Sequence, residues 1–325
     1  MKSVLSLLLC SMFFLVGCTE ETINTSITQN DEDVLSKRVC YTYEVLQEQL
    51  QQDPSLAIRM QQIEDFTERF SKDKSPALLR LLGDTLEIPV VVNILYKTTA
   101  QNISAAQIQS QITALNNDFE ALNTDYNLTP SVFQSLRAGN TKIRFVLDGI
   151  IRKSTTKTGW SADNSMKSTA KGGISPSSPT TKLNLWVCNL SGGILGYAQF
   201  PGGSSATDGI VIDNNAFGTT GTAQAPFNKG RTATHEVGHW MNLRHIWGDA
   251  NCGSDLVTDT PNHNTANYGC PTYPHYSTCS GKPLEMTMNY MDYSDDACMY
   301  MFTSGQKTRM RAIFASGGPR YSFGK

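Results

Sequence analysis

From Val4 to Val16 the chain is almost wholly apolar, behind the charged start Met1-Lys2-Ser3. The run is shorter than the roughly 20 residues a membrane span needs and fits the core of a signal peptide. Thr19 to Asp33 is polar and acidic, the pattern of a flexible tether. Between Cys40 and Lys74, Leu46, Leu50, Ile63, Phe66 and Phe70 recur at helical spacing among Gln, Glu and Arg. Ser71 to Leu86 mixes charge with Pro76 and Gly83 and reads as a linker. Ile88 to Tyr96 is apolar and β-branched, as in a buried strand. Ser104 and Gln107 then form a capping box. Ile108, Ile112, Leu115, Phe119 and Leu122 follow as one helical stripe. Strand-like runs come at Lys142 to Leu147, Leu183 to Val187 and Gly209 to Ile212, between Gly- and Ser-rich loops. After His245 the chain is loop-rich until Thr303. There Thr303 and Gln306 form a second capping box before Met310, Ile313 and Phe314. Helices around a central sheet predict an α/β layer architecture.

Composition adds limits. The 325 residues suffice for one large domain or two modest ones. The formal net charge of -2 points to neither nucleic acid nor an anionic surface as partner. The apolar leader ends in Leu15-Val16-Gly17-Cys18, the form of a bacterial lipobox, which makes Cys18 a candidate for lipidation. Export implies an oxidising compartment. Of eight cysteines, Cys10 leaves with the signal, and Cys252, Cys270, Cys279 and Cys298 cluster late in the chain. Four cysteines allow three pairings. Cys188 lies in a strand-like run and is expected to be a buried free thiol. Cys40 stands alone.

The chemistry concentrates in Thr234-His235-Glu236-Val237-Gly238-His239-Trp240-Met241-Asn242-Leu243-Arg244-His245. His235 and His239 are four apart, so a helix presents both from one face to a single zinc ion. Glu236 is placed to serve as general base toward water at the open position. A catalytic zinc takes three protein ligands. His245 is the natural third, provided that the chain turns sharply before it. Asn242 stands at that turn, where the long metzincin motif has Gly. Asn tolerates the left-handed conformation that such a turn requires. Three of only five histidines fall at the required spacing.

With this motif, and with its continuation His245-Ile246-Trp247-Gly248-Asp249, the sequence resembles the pappalysin family of metzincin metallopeptidases. Asn289-Tyr290-Met291-Asp292-Tyr293-Ser294-Asp295-Asp296-Ala297-Cys298 and the segment Ile88 to Asn123 extend the resemblance over roughly Cys40 to Phe314. It implies a two-part α/β fold: a mostly parallel upper sheet with helices, and a loop-rich, disulfide-held lower part. The expected organisation is a signal peptide (1–17), a tether (18–39), a helical pro-segment (40–84) and a metallopeptidase domain (85–325). By the same resemblance, Met291 is the Met-turn residue under the zinc and Tyr293 stabilises the oxyanion. The disulfides implied are Cys252–Cys279 and Cys270–Cys298. The loop holding Asp255, Val257, Asp259 and Thr260 would bind calcium, and Cys40 would cap the zinc until the pro-segment is cut. Ser294 to Met301 is expected to line the specificity pocket, with Asp295 and Asp296 as candidates to favour basic side chains. Arg80 is a candidate activation cut.

The function implied is a secreted or surface-anchored zinc endopeptidase, monomeric, acting on extended polypeptides. A catalytically silent surface lipoprotein that uses the fold to bind a partner is the alternative. A zinc hydrolase of non-peptide substrates is a third reading.

Overall fold

The computed structural model describes residues 37–73 and 83–323. The signal run, Cys18, most of the expected tether and Arg80 lie outside the described residues. Packing reaches back at least to Arg38, which is only 1% exposed.

The first helical segment is two helices, α1 (Thr42–Gln52) and α2 (Ser55–Lys72). Pro54 disfavours a helical conformation at the residue before it. Asp53 is accordingly extended, at φ -137° and ψ 86°. Its carboxylate accepts from the Ser55 amide and so opens α2.

The sheet has five strands: β1 (Leu86–Tyr96), β2 (Ile143–Ser154), β3 (Leu183–Cys188), β4 (Gly196–Ala198) and β5 (Ile210–Asp213). Their order is β2-β1-β3-β5-β4. All neighbours are parallel except β4, which runs antiparallel to β5. All six residues of β3 are buried, as expected of a strand covered on both faces. Helices α3 (Ala105–Phe119) and α4 (Arg231–Trp240) pack against each other. The first lies on β2, the second on β4 and β5. Ile108, Ile112, Leu115 and Phe119 are buried as their spacing predicts. Leu122 is not part of that stripe: α3 ends at Phe119, Ala121 turns to φ 57°, and Leu122 is 64% exposed.

The two capping boxes differ. Thr303 and Gln306 form a reciprocal box at the start of α5 (Ser304–Ala312). Ser104 accepts from the Gln107 amide, but the Gln107 side chain turns away, to Phe217 O and Thr222 Oγ1. A buried loop offered better partners than the helix end did. Between α4 and α5 the chain is irregular. Two disulfides hold it, Cys252–Cys279 and Cys270–Cys298. Closing loops of such length is worth about 3–4 kcal/mol each in the chain-entropy picture. Cys40 and Cys188 are free and buried.

Candidate active site

All ten residues of α4 are buried, so packing rather than intrinsic propensity sustains this short helix. It ends in a tight reversal. The Met241, Asn242 and Leu243 amides bond back to carbonyls of Val237, Gly238 and His239. Asn242 sits at φ 71°. That left-handed residue takes the chain off the helix and returns His245 to the face of His235 and His239.

The three imidazoles meet. His239 Nε2 is 3.1 Å from His235 Nε2 and 3.0 Å from His245 Nε2. Each opposite nitrogen is engaged: His235 Nδ1 with Tyr290 O at 2.7 Å, His239 Nδ1 with Leu243 O at 2.8 Å, and His245 Nδ1 with the Asp249 carboxylate. Carbonyls only accept, so His235 and His239 carry their protons on Nδ1 and turn Nε2 lone pairs inward. Burial depresses the basicity of both rings, with the neighbouring imidazoles adding to it, and His239 falls to about 3. Converging neutral Nε2 lone pairs repel unless a cation lies among them. A tetrahedral zinc with bonds of about 2.0–2.1 Å sets its nitrogens roughly 3.3 Å apart, close to the spacing here. The donor set fits zinc, and its Nδ1 partners are of the kind that orient zinc-bound histidines.

Cys40 Sγ completes the cluster. It and the three histidine ligand atoms all lie within 4.8 Å of one another. Among the described residues, no other group of His, Cys, Asp or Glu converges in this way. The segment carrying Cys40 runs beside β4 as a short parallel bridge: the Tyr41 amide bonds Gly196 O, and the Leu195 amide bonds Val39 O. Burial first, and Glu236 beside it, push the thiol up.

Glu236 is 1% exposed, and burial lifts its carboxyl to about 7. Oε2 accepts from Thr42 Oγ1 at 2.8 Å, whereas buried Oε1 has no hydrogen-bond partner within bonding distance. Met291 is fully buried under α4, and a Cβ at Gly238 would collide with its Sδ. The Tyr293 ring lies edge-on to His245, centroids 4.9 Å apart, and its hydroxyl donates to Cys40 O at 3.1 Å. Burial keeps that phenol protonated.

The Asp255 loop brings Asp255, Val257 O and Thr260 Oγ1 together and leaves out the Asp259 side chain. Asp255 accepts from the Val257 amide and from Thr260 Oγ1, which also approaches Val257 O. Asp259 turns elsewhere and accepts from Thr303 Oγ1 and the Gly305 amide at the start of α5.

Sequence reasoning missed four contacts. Arg38 is buried against Asp296 Oδ1 (2.6 Å), Thr232 Oγ1 (3.1 Å) and Ser294 O (3.2 Å). Its signal was an arginine two residues before the lone Cys, with an acidic pair at 295–296. Thr42 follows that Cys by two. Asp249 follows His245 by four, inside the motif already quoted. Asn267, which bonds the buried Asp292 with its main-chain amide and its side chain, carried no signal at all, because these partners lie far along the chain.

Comparison with known proteins places this geometry. The peptidase M43 family model, described as pregnancy-associated plasma protein-A, matches residues 179–315. An extracellular metalloprotease of Pyricularia oryzae is 36% identical over 244 residues, covering 71% of this chain and 75% of its own length. One from Verticillium alfalfae is 34% identical, covering 70% of this chain and 78% of its own. A promirolysin mutant of Tannerella forsythia is 42% identical, with a TM-score of 0.78, over 88% of this chain and 96% of its own. Mature mirolysin of the same organism, solved with a cleaved peptide, is 46% identical, with a TM-score of 0.71, over 74% and 95%. A sequence motif, a converging three-histidine cluster and relatives of this extent agree: the chain belongs to the pappalysin family and is a zinc metalloendopeptidase.

Proposed function

We propose that this endopeptidase is exported and cleaves extracellular polypeptides, with zinc held by His235, His239 and His245 and with Glu236 as general base. The observation that carries the reading is the buried Glu236 carboxyl, held at Oε2 by Thr42 and lying against the Cys40 thiol that completes the cluster of three converging imidazoles. A bound zinc ion supplies Lewis-acid chemistry there, polarising the scissile carbonyl and lowering the pKa of water to about 7. Glu236 accepts the proton of the attacking water and delivers it to the leaving amine nitrogen. The Tyr293 hydroxyl donates to the carbonyl oxygen as negative charge develops on it. Met291 holds the floor of the site by packing.

The pro-segment supports a substrate preference. Arg38 fills a buried pocket with Asp296 opposite its guanidinium. Once that segment leaves, a basic substrate side chain takes the same place. Two finer expectations rest on sequence alone: lipid attachment through Cys18, and calcium at the Asp255 loop.

Glu236→Ala tests the catalytic reading. The variant keeps one zinc per chain and loses at least about 10³-fold in kcat on a denatured protein. Substantial residual cleavage with full zinc makes another group the base. A silent binding protein predicts no chelator-sensitive cleavage in the wild type at all. Peptide pairs differing only by arginine or citrulline test the pocket. Loss of the charge lowers kcat/KM about 10–100-fold if Asp296 reads it, and equal rates exclude the preference.

A further inference from the structure

The irregular lower part contains a polar cluster that the catalytic reading does not use. Asp292 lies between Met291 and Tyr293 and is 0% exposed. A carboxylate so buried needs donors on both oxygens. Oδ1 accepts from the Tyr293 amide and the Asn267 amide, each at 2.8 Å. Oδ2 accepts from Asn267 Nδ2 at 2.9 Å and lies 3.3 Å from His263 Nδ1. His263 Nε2 accepts from the Met286 amide at 2.9 Å, so the ring is neutral and its proton sits on Nδ1. Asn267 Nδ2 also bonds Glu285 Oε2 at 2.8 Å. Asn264 N, His275 and, at 3.9 Å, His263 Nδ1 also face Glu285.

Asn267 therefore grips Asp292 from two sides, with main chain and side chain together. It lies inside the loop closed by Cys252–Cys279 and three residues before Cys270, whose partner Cys298 follows Tyr293 by five. The next residue, Tyr268, sets its ring 5.8 Å from that of Tyr293. From the other side, the Met291 carbonyl accepts from the Ile246 amide, next to His245. The turn carrying Tyr293 is thus pinned between the zinc-ligand segment and Asn267.

We propose that Asn267 is a positioning residue for Tyr293: through Asp292 it fixes the turn that aims the tyrosine hydroxyl at the reacting carbonyl. The inference rests on the oxyanion role of Tyr293 given above. A hydroxyl misplaced by about 1 Å forfeits most of what it contributes in the transition state and little of substrate binding.

The test is a double-mutant cycle on the mature, zinc-loaded enzyme, with Tyr293→Phe, Asn267→Ala and the pair. Tyr293→Phe is expected to lower kcat about 10²-fold. Asn267→Ala is expected to lower kcat about 10-fold with KM within twofold. In the Tyr293→Phe background, Asn267→Ala should cost almost nothing further. Multiplicative losses, or an Asn267 effect confined to KM, overturn the inference while leaving Tyr293 its role. A Tyr293→Phe enzyme with full kcat removes both. If Asn267→Ala does not accumulate as folded protein, Asn267→Ser, which like it keeps the main-chain bond to Asp292 Oδ1 but puts a small hydroxyl donor where the carboxamide was, must show the same non-additivity or the inference falls.

Discussion

Asp249 holds the Nδ1 side of His245, the ligand that lies beyond the helix, while main-chain carbonyls hold those of His235 and His239. The helix itself orients the first two rings, so the third depends most on its outer partner. His245→Ala should leave zinc well below one ion per chain, because two histidines make a weak site. Asp249→Ala should keep a stoichiometric site but weaken zinc binding about 10–100-fold. Competition with a chromogenic chelator measures both, and equal affinities for wild type and Asp249→Ala would exclude an orienting role. A second residue-scale consequence concerns pH. Asp118 is buried beside Arg231 and accepts from Thr234 Oγ1 at 2.7 Å, and burial lifts its pKa to about 6. An unfolded aspartate titrates near 3.9. Between those values the folded state keeps a proton that the unfolded chain releases. The contribution is present in full below about pH 4 and is lost as pH rises through about 6, a change of roughly 3 kcal/mol. Asp118→Asn removes this dependence, so its stability relative to wild type should climb between pH 4 and 6.5. A difference that stays constant across that range would falsify the assignment.

At the scale of elements, the reversal after α4 makes two demands. Asn242 must sit at φ 71°, and Gly238 must leave room for Met291. Asn242→Gly should fold as well as wild type, whereas Asn242→Ala should cost about 1–2 kcal/mol for a left-handed residue without Asn's tolerance of that region. Gly238→Ala pushes a methyl into the buried Met291 thioether. It should lower stability by about 1–3 kcal/mol and zinc affinity with it. Denaturant midpoints with and without zinc check both, and an unperturbed Gly238→Ala would show that the floor under the site gives way freely. The demand on Asn242 was legible beforehand, because a local motif with fixed spacing dictates it; the demand on Gly238 was not, because it comes from Met291, far along the chain. Also legible were β1, β3 and the stripe of α3, where burial on one or two faces leaves a periodic record. What sequence did not reveal is long-range. β4 is three residues of a Gly-rich segment, and pairing with β5 on one side and with the Cys40 segment on the other makes it a strand. Gln107 left its helix cap for loop partners 110 and 115 positions away. Asn267 gains its role from Asp292 and Glu285, and no window around it contains them.

Across the whole molecule, the segment from Arg38 to Lys72 touches the catalytic machinery at four places. Arg38 occupies the pocket at Asp296, Cys40 Sγ faces the three histidines, Thr42 Oγ1 donates to Glu236, and Glu64 pairs with Arg309, whose Nε bonds Asn242 O. The Tyr293 hydroxyl is also spent on Cys40 O. Mirolysin's precursor form aligns with 88% of this chain and its mature form with 74%, which fits a removable segment of this kind. Three features of this segment are separable candidates for holding the precursor latent: the Cys40 thiol at the histidine cluster, the Thr42 hydroxyl on Glu236, and bulk in the cleft. Cys40→Ala should speed self-processing of the precursor most, since a sulfur ligand on zinc excludes the water that must react. Thr42→Val keeps the bulk and the thiol but frees Glu236 Oε2, so it should speed processing less. Combined with Cys40→Ala, it should speed processing more than either change alone. Glu44→Ala should change nothing, because Glu44 lies on the exposed face of α1. Processing of the four purified precursors, followed on a gel after zinc addition, ranks these candidates. A Cys40→Ala precursor as slow as wild type eliminates the thiol. If Thr42→Val is equally silent, the anchors at Asp296 and Arg309 hold the segment in the cleft by themselves, and Glu64→Gln, which weakens the Arg309 pair, becomes the variant that releases activity.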